Sequence, residues 1–145
     1  MKLYVLNGPN LDMLGLREPE LYGTTTLADV RAECERVAAE LGHELFFAQS
    51  NAEHQLIDWL HDAFHERAGV VINPAGLSFR SVPLLDALRM LPTPIVEIHL
   101  TNIHARDAAH RDSLVSTVAR TVIAGAGAYG YELAIRAVDR LAAPA

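Results

Sequence analysis

Lys2-Leu3-Tyr4-Val5-Leu6, running straight into Asn7-Gly8-Pro9-Asn10-Leu11, is the stretch whose reading decides the fold. A short, nearly unbroken apolar run bounded by turn formers reads as a strand buried on both faces, as in parallel sheets. Outward from this first strand, Lys2–Leu6, similar runs predict strands at Glu44–Gln49, Gly69–Ile72, Ile95–His99 and Thr121–Ala124. Helical periodicity separates them. Leu27, Val30, Cys34, Val37, Ala38 and Leu41 make one apolar face, opened by Thr26 with Asp29 three residues on and closed by Gly42. Leu56, Ile57, Leu60, Ala63 and Phe64 make a second face, and Leu84, Leu85, Leu88 and Leu91 a third that ends before Pro92 and Pro94. Ala134, Ala137, Val138 and Leu141 make the last. This alternation predicts one α/β domain over residues 1–145, a flavodoxin-like, doubly wound, five-stranded parallel sheet of order 2-1-3-4-5.

Composition narrows the functions. Half of the 145 residues are hydrophobic, which suits a globular domain with a proper core. A formal charge of −6 argues against a nucleic-acid or anionic-membrane partner, yet leaves room for a small anionic substrate held by local fields. Cys34 is the only cysteine, so no internal disulfide forms; on its apolar stripe it reads as a core residue. No apolar run approaches the length of a membrane span, and the first strand does not read as a signal peptide. The expectation is a cytoplasmic protein.

In a sheet of this order the ligand crevice lies beyond the carboxyl ends of the strands, at the switch between strands 1 and 3. Strand 1 ends at Asn7 and leads to Asn10 and to Arg17-Glu18-Pro19-Glu20-Leu21-Tyr22-Gly23, a loop with the character of a lid, hinged near Gly15 and Gly23. Neither Arg17 nor Tyr22 is expected in a helix or strand. A guanidinium beside a tyrosine favours the phenolate, which makes Tyr22 a candidate general base with Arg17 as its activator. Strand 3 ends at Asn73; strand 4 ends at His99, followed by Leu100, Thr101 and Asn102. Strand alternation puts Glu97 on the same face as His99, where a carboxylate orients an imidazole.

Three other motifs fail on their context. Gly125-Ala126-Gly127-Ala128-Tyr129-Gly130 matches a dinucleotide fingerprint, but only 15 residues follow and they read as a terminal helix rather than a strand with an acidic residue. Its glycines fit tight strand-to-helix packing instead. His61-Asp62-Ala63-Phe64-His65 has the outline of a zinc helix, with Asp where Glu is needed and its histidines on the polar face of His54 and Asp58. Asn7 stands where a receiver domain carries its phosphoacceptor aspartate, and no Ser/Thr-rich phosphate loop is present.

Leu6-Asn7-Gly8-Pro9-Asn10-Leu11, Arg17 to Gly23, Gln49-Ser50-Asn51, Ile98-His99-Leu100-Thr101-Asn102-Ile103-His104-Ala105-Arg106 and Gly127-Ala128-Tyr129-Gly130-Tyr131 together resemble type II 3-dehydroquinate dehydratase, from the first strand to the last helix. The resemblance implies loss of water from 3-dehydroquinate through an enolate, a dodecamer of four trimers, and no metal or organic cofactor. By the same resemblance Tyr22 is the base, Arg17 its activator, and Asn10 the holder of a water that stabilises the enolate. His99, held by Glu97, is the acid. Asn73 and the backbone N–H groups of Leu100 and Thr101 cradle the substrate carboxylate, with Thr101 where serine is usual. Two positions depart from the family. Phe79 stands for a histidine that binds substrate hydroxyls, and His110 for an arginine whose neighbour in the family site, Asp86, is retained. Arg80 and Arg111 are the nearest replacements for the missing donors. Two other readings therefore stay open: a dehydratase of a related cyclic β-hydroxy ketone carboxylate, and a catalytically idle carboxylate-binding paralogue.

Overall fold

The computed structural model describes residues 1–144. The expected strands form as β1 (Lys2–Asn7), β2 (Glu44–Gln49), β3 (Gly69–Asn73), β4 (Ile95–His99) and β5 (Thr121–Ala124). They pair in parallel in the order β2-β1-β3-β4-β5, as the alternation of strand and helix predicts. Asn7 and Asn73 end β1 and β3 and sit opposite each other in the ladder, so two buried amides mark the switch point.

A one-turn helix, α1 (Pro19–Tyr22), precedes four that cover the sheet: α2 (Leu27–Glu40), α3 (Glu53–Glu66), α4 (Val82–Arg89) and α5 (Tyr129–Ala142). Strand alternation sorts the core into two layers. Leu3, Val5, Val71, Val96 and Ile98 meet Val30, Cys34 and Val37 of α2 and Tyr131, Ala134, Ile135 and Val138 of α5. On the other face Tyr4, Leu6, Val70, Ile72 and Ile95 meet Leu56, Leu60 and Ala63 of α3 and Leu84 and Leu88 of α4. Each such side chain contributes about 1.5–3 kcal/mol on full burial. Cys34 belongs to this core, and burial pushes its thiol up to about 12, which leaves it inert.

Local signals act as expected at the helix ends. Thr26 and Asp29 close a reciprocal capping box on α2, at 3.2 and 3.0 Å. Two details differ from the periodicity. α4 stops at Arg89, and Leu91 packs from the turn beyond, because Pro92 disfavours helical backbone just before it. Phe64 lies at the margin of the α3 stripe and is 41% exposed, edge-on to His65. His54, Asp58, His61 and His65 lie exposed, as the polar-face reading requires.

Close backbone approach builds the crevice floor. Gly8 donates its N–H to the Asn73 carbonyl at 2.8 Å, and a Cβ at Gly8 would lie 2.5 Å from the Pro74 carbonyl oxygen. Only glycine fits there. Behind the sheet, Gly130 brings α5 against β4: a Cβ there would meet Ile98 Cδ1 at 3.0 Å. That packing accounts for the last glycine of the false fingerprint. Among the described residues no helix is long and apolar enough to cross a membrane.

Candidate active site

A cleft of about 140 Å³ opens at the carboxyl ends of β1, β3 and β4. A cavity of that order accepts a small ring. Asn10, Arg17, Tyr22, Asn73, His99, Leu100 and Thr101, expected together from the sequence, all line it. Glu97 lies directly beneath, fully buried.

Asn10 takes left-handed backbone (φ +70°), and its N–H donates to Asn51 Oδ1 at 2.9 Å. Gln49 Nε2 donates to that same Asn51 oxygen and to the Gly8 carbonyl. The Gln49-Ser50-Asn51 stretch at the end of β2 is therefore the brace of the Asn10 turn.

Tyr22 is not in a loop. It ends α1, which Pro19 starts and Gly23 (φ +79°) stops, while Arg17 lies in the bend before it. Pro and Gly at those two places are the start and stop signals of a helix turn. The Arg17 guanidinium carbon lies 5.1 Å from the Tyr22 ring centre, and its Nε pairs with Glu18 at 3.3 Å. A second guanidinium, unassigned from the sequence, is closer to the chemistry: Arg106 Nη1 donates to the Tyr22 hydroxyl at 3.1 Å. Two guanidiniums thus flank one phenol, and one of them donates a hydrogen bond to its oxygen.

On the facing side, His99 Nε2 donates to Glu97 Oε2 at 2.5 Å. Ser113 donates to the same oxygen and Ser116 to Oε1, each at 2.5 Å. Burial raises the Glu97 carboxyl, but the hydrogen bonds from His99, Ser113 and Ser116 outweigh it and hold the group below the ordinary carboxylate value. A buried carboxylate is thus kept charged under the imidazole, leaving Nδ1 of His99 for a ligand. The two serines follow the quoted motifs and carried no signal of their own.

Asn73 is 3% exposed at the cleft floor. Among the described residues no backbone carbonyl receives the N–H of Leu100 or of Thr101, just past the end of β4. The β3–β4 register ends at Ile72 and Glu97, before these residues, so their N–H groups are spare donors.

Asp86 is the expected site residue that this subunit's own cleft does not include. The phase that buries Leu84, Leu85 and Leu88 turns Asp86 to solvent, where it lies 3.8 Å from Arg89 and does not line this cleft. Neither Arg80 nor Arg111 lines it either, and Arg111 Nε is held by the Arg106 carbonyl. Phe79 and His110 do line it. Phe79 stacks at 27° to the His99 ring, 6.4 Å away, and meets His110 edge-on at 5.5 Å. His110 Nδ1 donates to Asp107 at 2.8 Å, and this bond holds the Asp107 carboxyl below its usual range.

The family model described as dehydroquinase class II matches residues 1–139. The chain is 54% identical to 3-dehydroquinate dehydratase 2 of Agrobacterium fabrum over 132 residues, 91% of this chain and 90% of that one. It is 52% identical to 3-dehydroquinate dehydratase of Salinispora arenicola over 135 residues, 93% and 94% of the two chains. The crystal structure of type II dehydroquinase from Propionibacterium acnes superposes with a TM-score of 0.93 at 42% identity, covering 96% of each chain. With the motifs in the loops where the resemblance requires them and matches along almost the full length, the chain belongs to the class II dehydroquinase family.

Proposed function

We propose that this protein is a hydro-lyase that converts 3-dehydroquinate to 3-dehydroshikimate by anti elimination of water. The observation that carries the proposal is the opposition, in one cleft, of a guanidinium-flanked phenol at Tyr22 and a carboxylate-held imidazole at His99. Anti elimination needs a base on one face of the ring and an acid on the other.

Tyr22, as phenolate, takes the proton alpha to the ketone, and the electron pair moves to the carbonyl oxygen as an enolate. Arg17 and Arg106 support the phenolate, and Asn10 holds a water that donates to the enolate. The electrons then return to expel the hydroxyl, which takes a proton from His99 and leaves as water; hydroxide alone is a poor leaving group. The imidazolium form of His99 is supported by the Glu97 carboxylate. Asn73 Nδ2 and the N–H groups of Leu100 and Thr101 bind the substrate carboxylate. Purified protein incubated with 3-dehydroquinate should generate the absorbance of the conjugated enone; no absorbance above a blank would overturn the proposal.

The wall built from Phe79 and His110 favours a second reading, a related cyclic β-hydroxy ketone carboxylate with fewer hydroxyls at that end. Efficient turnover of 3-dehydroquinate by the unmodified protein would exclude it. We also place the protein in the cytoplasm as a homododecamer of four trimers. Exposed Val82 and Met90 at the ends of α4 and Val122 on edge strand β5 suit burial between subunits. Asp86 serves a substrate only if it reaches a neighbouring subunit's cleft. Sedimentation should give twelve times the 15.8 kDa chain mass, and a monomer would refute the assembly.

A further inference from the structure

Tyr131 lies on α5, fully buried and outside the cleft, and none of the roles above uses it. Its hydroxyl donates to Asn7 Oδ1 at 2.7 Å and accepts from Asn73 Nδ2 at 3.0 Å. The two ends of this chain are backbone groups of fixed polarity. Asn7 Nδ2 donates to the Ala48 carbonyl at 3.0 Å, and the Ala75 N–H donates to Asn73 Oδ1 at 3.3 Å. A carbonyl only accepts and an N–H only donates, so the backbone favours one amide orientation at each asparagine, firmly at Asn7 and less so at Asn73, where the bond is the longer one. With Asn7 turned over, the Tyr131 hydroxyl would face two donors; with Asn73 turned over, two acceptors. The hydroxyl thus couples the two amides, which turn together or not at all, and the Ala48 carbonyl and Ala75 N–H select the arrangement in which it accepts from Asn73 and donates to Asn7. Burial pushes the Tyr131 phenol well above its usual value, so the donor persists across the working pH range.

We infer that Tyr131 is a positioning residue that, through this one-way chain of hydrogen bonds, locks Asn73 with an amide N–H left for the substrate carboxylate. The inference rests on the proposed activity, in which Asn73 receives that carboxylate. Asn73 Nδ2 has two hydrogens; Tyr131 takes one, and the other is the only donor the side chain has for the cleft. A reversed amide would set its oxygen against the carboxylate and convert an attraction into a repulsion. Tyr131 thus connects the Gly127-Ala128-Tyr129-Gly130-Tyr131 motif, which contributes nothing to the cleft lining, to substrate binding.

The test is a double-mutant cycle with 3-dehydroquinate, using Tyr131→Phe, Asn73→Ala and both together, with kcat and KM measured separately. Tyr131→Phe should raise KM about tenfold with kcat within about threefold, the signature of lost uniform binding. In the Asn73→Ala background the same change should leave KM unaltered, because Tyr131 acts through Asn73. A general packing role would lower the melting temperature and multiply the two KM effects. Multiplying effects, an unchanged KM in Tyr131→Phe, or a loss confined to kcat would each overturn the inference. Should Tyr131→Phe fail to fold, Asn7→Leu serves in the same cycle, since it frees the Tyr131 O–H to turn toward Asn73 and release the lock. Absence of wild-type turnover would remove the proposed activity and this inference with it; wild-type turnover with multiplying effects removes the inference alone.

Discussion

Replacing Glu97 with Gln removes one charge from beneath His99 and keeps the shape of the group. Glu97 Oε2 accepts from His99 and Ser113, and Oε1 from Ser116. A glutamine oxygen in the place of Oε2 still accepts both bonds, and its amide donates to Ser116, whose hydroxyl turns to accept. A hydrogen bond to a charged partner is worth about 1.5–3 kcal/mol, against about 0.5–1.5 kcal/mol for a neutral one. The imidazolium therefore loses about 1–2 kcal/mol of support, and kcat should fall by about 5- to 30-fold. KM should hold, because Glu97 does not line the cleft. Stability gives a second readout. Glu97 is held below its ordinary value of 4.5, so its contribution is complete above that value and fades as pH falls through the lower, folded-state one. The wild type should lose its stability margin over Glu97→Gln only in acid, seen as converging urea midpoints below about pH 4. Steady-state kinetics decides the catalytic part. A Glu97→Gln enzyme within twofold of wild-type kcat would show that His99 does not depend on this carboxylate to act as the acid.

Three further outcomes follow from the cleft. Tyr22→Phe should lower kcat by about 10²–10⁴-fold, the usual share of a general base, while a competitive inhibitor binds as before; near-native turnover would assign the base elsewhere. Arg106→Gln should cost kcat about ten- to a hundredfold through the lost charged hydrogen bond to Tyr22, and an unchanged rate would leave Arg17 as the only activator. Phe79→His with His110→Arg should raise kcat/KM for 3-dehydroquinate by about tenfold or more, mostly through KM, since a recovered bond to charge is worth about 1.5–3 kcal/mol. No gain, measured at one pH, would mean that the wild-type wall already satisfies the substrate.

The strands were legible because parallel strands buried on both faces leave almost unbroken apolar runs, and their alternation with helices permits few topologies. The loop residues at strand ends followed from that topology. Contacts between loops far apart in sequence were not legible. Arg106 and Tyr22 are 84 residues apart, and nothing local in either segment announces their hydrogen bond. Ser113 and Ser116 hold Glu97 from irregular backbone, where no periodicity says which way a side chain points. Asp86 shows the reverse: the stripe Leu84, Leu85, Leu88 turns it to solvent, so periodicity alone keeps it out of the cleft of its own subunit. Tyr22 belonged to a helix turn that Pro19 and Gly23 signalled, too short for periodicity to register.

Phe79 and His110 sit on separate 3-10 turns, Ala75–Phe79 and Ala108–His110, and touch each other rather than the Glu97 carboxylate. The proposed proton-transfer groups are anchored elsewhere, on the sheet through Glu97 and His99 and on α1 through Tyr22. Mutations that reshape the recognition wall therefore leave the hydrogen bonds of the proton-transfer groups in place. For an evolving lineage this separation opens a route to new substrates along which the hydrogen bonds of Glu97, His99 and Tyr22 are kept, with selection acting on two small turns and reaching the sheet only where Phe79 stacks on His99.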